Sequence, residues 1–169
     1  MDQKKSLLKQ TQEKLSTGEA KNPISVVVES ENQGGFQTKI LIRDHEIISD
    51  QPFGFSGQNK GPKPSELVLA ALAACQETTY RIFAEDMGIQ IDKIAVRLRG
   101  FQDLRGFMAL DAEIPAGFTV IEGKVFIESE ASDEELERLQ RRVDEHCPVL
   151  DDLKRPVEVS FSIEKYSLE

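Results

Sequence analysis

The stretch Gly61-Pro-Lys-Pro-Ser-Glu-Leu-Val-Leu-Ala-Ala-Leu-Ala-Ala-Cys75 narrows the folds open to this chain more than any other. Two prolines interrupt the preceding segment, and nine small or apolar residues then run without a break from Leu67 to Cys75. Pro64 suits a first helical turn, where its missing N–H would be unpaired in any case, and Gly88 suits the position just past a helix end. The spacing predicts one helix from Ser65 toward Gly88. A surface helix carries an apolar stripe between polar residues, whereas this one is apolar all round in its first half, so it is predicted to be buried. Its one reactive atom is the sulfur of Cys75.

The segments around that helix read mainly as strands. Ile24–Ser30 is β-branched, Asn32-Gln-Gly-Gly35 is a turn, and Phe36–Arg43 alternates as the returning strand of a hairpin. Asp44-His45 makes a second turn and Glu46–Ser49 a short third strand. A long loop rich in Gly, Pro and Asn, residues 50–64, leads into the helix, and loops of that length in compact domains are often functional. Beyond Gly88, Ile89–Arg99 reads as a half-buried strand, Phe101–Ala112 as a loop with a short extended piece, and Phe118–Ser129 as a strand with a bulge at Gly123. Ser132-Asp-Glu-Glu135 is a capping box opening an amphipathic helix with Leu136, Leu139 and Val143 on one face, and Pro148 marks its end. Pro156–Glu164 alternates as a final strand. Residues 1–22 form an arm or at most a marginal short helix, and residues 23–169 a single domain.

This order predicts an α+β fold with mostly antiparallel sheets. One sheet covers only one side of the Leu67–Cys75 helix, and a second copy of the same surface about a two-fold axis is the simplest cover for the other, so a homodimer is expected.

A net charge of −9 argues against nucleic acid and anionic membrane as partners, since both call for clustered Lys and Arg. No apolar run approaches the roughly 20 residues a membrane span requires, and the N-terminal residues contain no continuous apolar stretch of the secretory kind. A cytoplasmic setting, where thiols stay reduced, is the expectation. Two cysteines, Cys75 and Cys147, are then inert core residues, metal ligands or a redox pair. The available donors Cys75, Cys147, His146 and His45 lack metal-ligand spacing. A reacting thiol must ionise, and Cys75 lies too deep in its helix for the dipole to help, so a cation must come from another element. Arg43 and Arg105 are the candidates. Glu66 lies on the opposite side of the helix from Cys75, nine residues and about 900° of rotation away, and reaches such a sulfur only across a two-fold axis.

The combination of Gly61-Pro-x-Pro-x-Glu-Leu, the Ala-rich run ending at Cys75, His146-Cys-Pro-Val149 and a closing strand resembles the OsmC/Ohr family, the osmotically inducible protein C and organic hydroperoxide resistance proteins. The likeness covers roughly residues 25–165. It implies an intertwined homodimer with antiparallel sheets around a central helix from each protomer. It also implies a thiol peroxidase without metal, haem or flavin, acting on organic hydroperoxides and reduced by an external dithiol; a site lined by the apolar residues of the helix would prefer bulky or fatty hydroperoxides. By that likeness Cys75 is the peroxidatic cysteine and Cys147 the resolving one, forming a Cys75–Cys147 disulfide, with Glu66 and Arg43 as supporting residues. A small-molecule binding protein with passive cysteines on the same scaffold is the alternative.

Overall fold

The computed structural model describes residues 5–165. The elements in chain order are α1 (Leu7–Ser16), β1 (Glu29–Gly34), β2 (Gln37–Ile42), β3 (His45–Ser49), α2 (Pro64–Met87), β4 (Lys93–Gln102), the single turn α3 (Leu104–Phe107), β5 (Phe118–Glu128), α4 (Asp133–His146) and α5 (Pro148–Lys154). They make an α+β fold with two antiparallel sheets, β1-β2-β3 and β4-β5.

The long helix begins and ends as its sequence dictates. Pro64 occupies its first turn, the Glu66 carboxylate accepts the Lys63 N–H at 3.0 Å, and Gly88 closes it at φ 71°, a left-handed conformation that favours glycine. Burial along it is uneven. Leu72, Gln76, Thr79, Tyr80, Phe83 and Ala84 are buried, while Val68 stays 38% exposed and Ala70, Ala71 and Ala74 are exposed. Within one chain the first half of the helix is thus covered on one side and open on the other. β4, α4 and α5 pack on α2, and nothing else among the described residues covers the opposite side of its first turns.

The core forms where the second half of α2 meets the face of α4 and the ends of β4 and β5. Tyr80, Phe83, Ala84, Ile89, Ile91, Leu139 and Val143 make it up, with Ile94, Val125, Ile127 and Leu136 packed around. α4 starts at the expected capping box: the Glu135 carboxylate accepts the Ser132 N–H at 2.9 Å, and the Ser132 hydroxyl accepts the Glu135 N–H at 3.3 Å. α1 docks on the far end of α2, where the Ser6 hydroxyl donates to Asp86 at 2.9 Å and Leu8 joins the core.

Several sequence expectations are corrected. Of Ile24–Ser30 only Glu29 and Ser30 enter the ladder, opposite Leu41 and Ile40, and Ile24, Val26, Val27 and Val28 remain exposed. Pro156–Glu164 pairs with no strand; Phe161 is 95% and Ile163 97% exposed. An alternating segment forms a strand only where an edge is offered to it, and among the described residues none is offered to Ile24–Val28 or to Pro156–Glu164. Gly123 carries no bulge: it pairs regularly with Leu98, whose side chain fills the place a Cβ would take, and the register shifts at Phe101/Gln102. Pro148 ends α4 but also begins α5.

The loop after β3 is organised by Asp50, a residue that its sequence context did not single out. The buried Asp50 carboxylate accepts the N–H groups of Gln51, Gln58 and Lys60 at 2.7, 3.0 and 3.1 Å. These bonds hold its pKa below the ordinary carboxylate value against the opposing effect of burial. Gly57 and Gly61 are required there because a Cβ would overlap the Gln51 and Ile48 carbonyl groups. The loop thus delivers the chain to Pro64 in a fixed direction.

Leu139 is fully buried at the α2–α4 contact. Leu139→Ala is expected to lower the unfolding free energy by about 3 kcal/mol, read as a drop in urea midpoint at unchanged m-value.

Candidate active site

Cys75 is carried on the half-covered middle of α2, and its side chain is partly accessible. Cys147 is fully buried and occupies the corner between α4 and α5. Its N–H donates to the Val143 carbonyl at 2.9 Å, closing α4, and its carbonyl accepts the Asp151 N–H at 2.9 Å, opening α5. Pro148 fits this corner because the first helical position needs no N–H donor. Helix packing then brings the two sulfurs to 3.2 Å across 72 residues of sequence. A disulfide bond of about 2 Å is within reach of small side-chain rotations from there.

The surroundings of Cys147 are unfavourable to its anion. Burial pushes its thiol above the ordinary range and the adjacent Cys75 adds to the rise, with the nearby polar groups of Leu150 and Thr79 offsetting part of it. Thr79 is buried one helical turn after Cys75 and donates its hydroxyl to the Cys75 carbonyl at 2.7 Å. Nearby, burial and the Asp144 carboxylate push the Tyr80 phenol up to about 12.

The remaining predicted site residues are not gathered at the sulfurs within this chain. Arg43 sits at the β2–β3 turn with φ 54°, exposed, on a sheet that makes no substantial contact with α2. Glu66 lines a separate cleft of about 360 Å³ with Lys63, Leu69 and Phe118, and its carboxylate is bonded to the Lys63 N–H. Arg105 is held by Asp103, two residues earlier, through contacts of 2.6 to 3.2 Å that hold the Asp103 carboxyl down at about 2. His146 turns its ring onto Phe83, with centroids 5.1 Å apart, and His45 opens β3 opposite Ile42. Among the described residues no three His, Cys, Asp or Glu side chains form a metal-sized cluster, and no helix is long and apolar enough to cross a membrane. A groove of about 510 Å³ is lined by Leu72 and Gln76 of α2, Leu98 and Ile121 of the β4–β5 sheet, Leu150 and Leu153 of α5, and the charged Lys124 and Asp144; neither cysteine is part of its lining.

Sequence reading passed over Thr79 and Asp50. Thr79 stands four residues after Cys75, the spacing that puts two side chains on one helix face, and that signal was available. Asp50 had none beyond its place at the head of a long loop.

An α+β domain with a half-exposed cysteine on a long apolar helix, faced by a buried cysteine at a helix corner, is the class of protein that fold and site define. The sequence model of the OsmC-like protein family matches residues 57–162, and the chain belongs to that family. Among solved structures, an OsmC-like protein from Mycoplasma pneumoniae is similar at 21% identity and TM-score 0.69, covering 78% of this chain and 89% of that one. An organic hydroperoxide resistance protein OsmC from Legionella pneumophila is similar at 19% identity and TM-score 0.61, over 79% and 92%. The organic hydroperoxide resistance protein OhrB of Bacillus subtilis is similar at 21% identity and TM-score 0.52, over 76% and 89%. Comparison with curated proteins gave no significant match.

The raised Cys147 pKa has a thermodynamic consequence. Below the unfolded thiol value of about 8.5 both states hold the proton and the contribution to stability is complete; above it the unfolded chain ionises first, so stability falls as pH rises toward the folded value. Urea unfolding of the reduced protein from pH 7.5 to 10 should show this decline, and Cys147→Ser should flatten it.

Proposed function

We propose that this protein is a thiol peroxidase that reduces organic hydroperoxides to alcohols, with Cys75 as the peroxidatic and Cys147 as the resolving cysteine. The observation that carries the reading is the pair of sulfurs 3.2 Å apart with unequal access, one partly open and one fully buried. The Cys75 thiolate attacks the outer oxygen of R–O–O–H. The S–O bond forms as the O–O bond breaks, and the leaving alkoxide takes up a proton to become the alcohol. Cys147 then attacks the Cys75 sulfenic acid, an S–S bond replaces the S–O bond, and hydroxide leaves with the Cys147 proton as water. An external dithiol returns both thiols by exchange. Organic hydroperoxide resistance proteins among the structural neighbours support this class of substrate. The apolar part of the groove, made by Leu72, Leu98, Ile121, Leu150 and Leu153, favours bulky or fatty hydroperoxides.

Activation of Cys75 calls for a cation, and the fold leaves Arg43 unpaired with α2 while Arg105 is engaged by Asp103. In a homodimer with the three-stranded sheet of one protomer laid over α2 of its partner, Arg43 and Glu66 act on the partner's sulfur. Exposed Val68 on α2, Val26–Val28 and Val157–Ile163 supply the apolar surface for such an assembly.

A pulse of one equivalent of cumene hydroperoxide is expected to consume both thiols of the wild type and yield an intramolecular disulfide; retention of both thiols would refute the reading. Cys75→Ser should abolish turnover. The groove also favours a second reading, a carrier of a small apolar ligand with passive cysteines, and in that case Cys75→Ser leaves ligand affinity unchanged while the wild type keeps its thiols. The cross-protomer role has its own test. Arg43→Gln and Cys75→Ser, each inactive alone, should regain activity when co-expressed, because the mixed dimer contains one site with both residues intact; Arg105→Gln should stay active by itself.

A further inference from the structure

We propose that the groove between α2, the β4–β5 sheet and α5 is a binding site for a long-chain alcohol, with the hydroxyl held between the side chains of Gln76 and Tyr80 and the alkyl chain laid along the apolar wall. The binding requires no thiol chemistry and goes beyond the peroxidase reading, since neither cysteine lines the groove.

Leu72, Gln76 and Tyr80 follow one another at four-residue spacing and so form one stripe along α2. That stripe is one wall of the groove of about 510 Å³. A helix stripe turned toward a sheet is ordinarily apolar, and a buried polar side chain is ordinarily hydrogen-bonded within the protein. Gln76 and Tyr80 depart from this. Gln76 is 7% exposed and Tyr80 2%, yet neither side chain has a hydrogen-bond partner among the described residues; the neighbouring α2 side chains that are bonded are Thr79, to the Cys75 carbonyl, and Arg81, to the Ile91 carbonyl. No side-chain nitrogen or oxygen sealed from solvent lacks a partner among the described residues, so the Gln76 amide and the Tyr80 phenol are not closed into the core. They open on the groove they line.

The pair sets the chemistry of the ligand's head. An amide both donates and accepts, and so does a phenol. Side chains four residues apart on a helix are close neighbours, so one hydroxyl can accept from the first and donate to the second. Burial and the Asp144 carboxylate, which push the Tyr80 phenol up to about 12, keep it a donor at neutral pH and act equally against a carboxylate placed beside it. The favoured head is therefore uncharged. Lys124 and Lys154 also line the groove, but both are exposed residues whose charge water screens. Leu72, Leu98, Ile121, Leu150 and Leu153 supply the wall for an alkyl chain. The bare side of α2, with Ala70, Ala71 and Ala74, is no part of this lining, so the groove and the surface assigned to the homodimer use different sides of the helix.

The experiment titrates the reduced protein, without peroxide, with decanol and with decanoate at neutral pH in a calorimeter. The wild type is expected to bind decanol roughly tenfold more tightly than decanoate, the penalty of placing a carboxylate in that corner. Gln76→Leu and Tyr80→Phe, which keep the shape and remove the polar end, should each weaken decanol about fivefold, the effect of one neutral hydrogen bond. Their urea midpoints should stay level or rise, because an apolar end in place of an unpartnered polar one removes a desolvation cost from the fold. Gln140→Leu, at an exposed residue of the same groove, should bind decanol as the wild type does. Equal affinity for decanoate overturns the proposal, as does undiminished decanol binding in either variant, which would make the groove a merely apolar surface. A fall in urea midpoint in either variant assigns the pair to the fold and overturns it too. Absence of decanol binding in the wild type, the result if a partner protomer fills the groove, overturns it as well. A chain that binds decanol yet keeps its thiols under peroxide refutes the peroxidase reading alone.

Discussion

The packing of Leu139 and Val143 against Tyr80 and Phe83 is the contact on which the rest depends. Both α4 residues are fully buried, and interiors packed to crystal-like density do not slide. That contact fixes the last turn of α4 relative to the middle of α2. Since Cys147 is the residue that ends α4, its sulfur is placed on Cys75 by core packing rather than by any interaction of its own. The polar contacts nearby reinforce the same junction. Arg142 lies over the Phe83 ring at 5.1 Å and reaches Asp86 at 3.5 Å, and Asp86 in turn receives the Ser6 hydroxyl of α1. A pair of thiols held this way meets without any loop having to close.

The chain divides into a part that satisfies itself and a part that does not. α2, β4, β5, α4 and α5 bury a common core, whereas among the described residues β1–β3 makes no substantial contact with them and the segments 24–28 and 156–163 offer apolar side chains to solvent. Leaving a phenylalanine such as Phe161 exposed forgoes about 2 kcal/mol of burial, and several such residues together are out of keeping with an isolated chain. The unpaired segments, the bare side of α2 and the uncovered three-stranded sheet have matching apolar character, which is the ground for the homodimer proposed above.

What the sequence disclosed follows the range over which each interaction acts. The capping box at Ser132, the prolines before α2 and Gly88 after it are settled by neighbours within a turn, and all three were legible. β4 and β5 were legible because both find their partner in the chain. Ile24–Ser30 and Pro156–Glu164 were read as strands because their residues suit an edge, yet that does not say which molecule provides the edge, and only Glu29 and Ser30 find theirs in the chain. Pro148 was read only as a stop, although a proline is as well suited to a first turn. Arg105 remained a candidate cation because nothing in its residue type shows that Asp103 holds it. Two cysteines 72 residues apart had no spacing to link them; the family resemblance paired them, and the α2–α4 packing supplies the physical reason.

Two thiols in contact would be redundant if they were alike, and the fold makes them different. Burial keeps the proton on Cys147 and keeps peroxide from it, so in the proposed cycle oxidation starts at Cys75. The same burial makes Cys147 a poor nucleophile for the second step, and this is the difficulty the site has to resolve. Proximity answers part of it, because a sulfur already at 3.2 Å needs no encounter. A thiol that is inert toward solvent and, in the proposed cycle, reactive toward one neighbour thus follows from placing it at a helix corner, sealed by the core and set against a single partner sulfur.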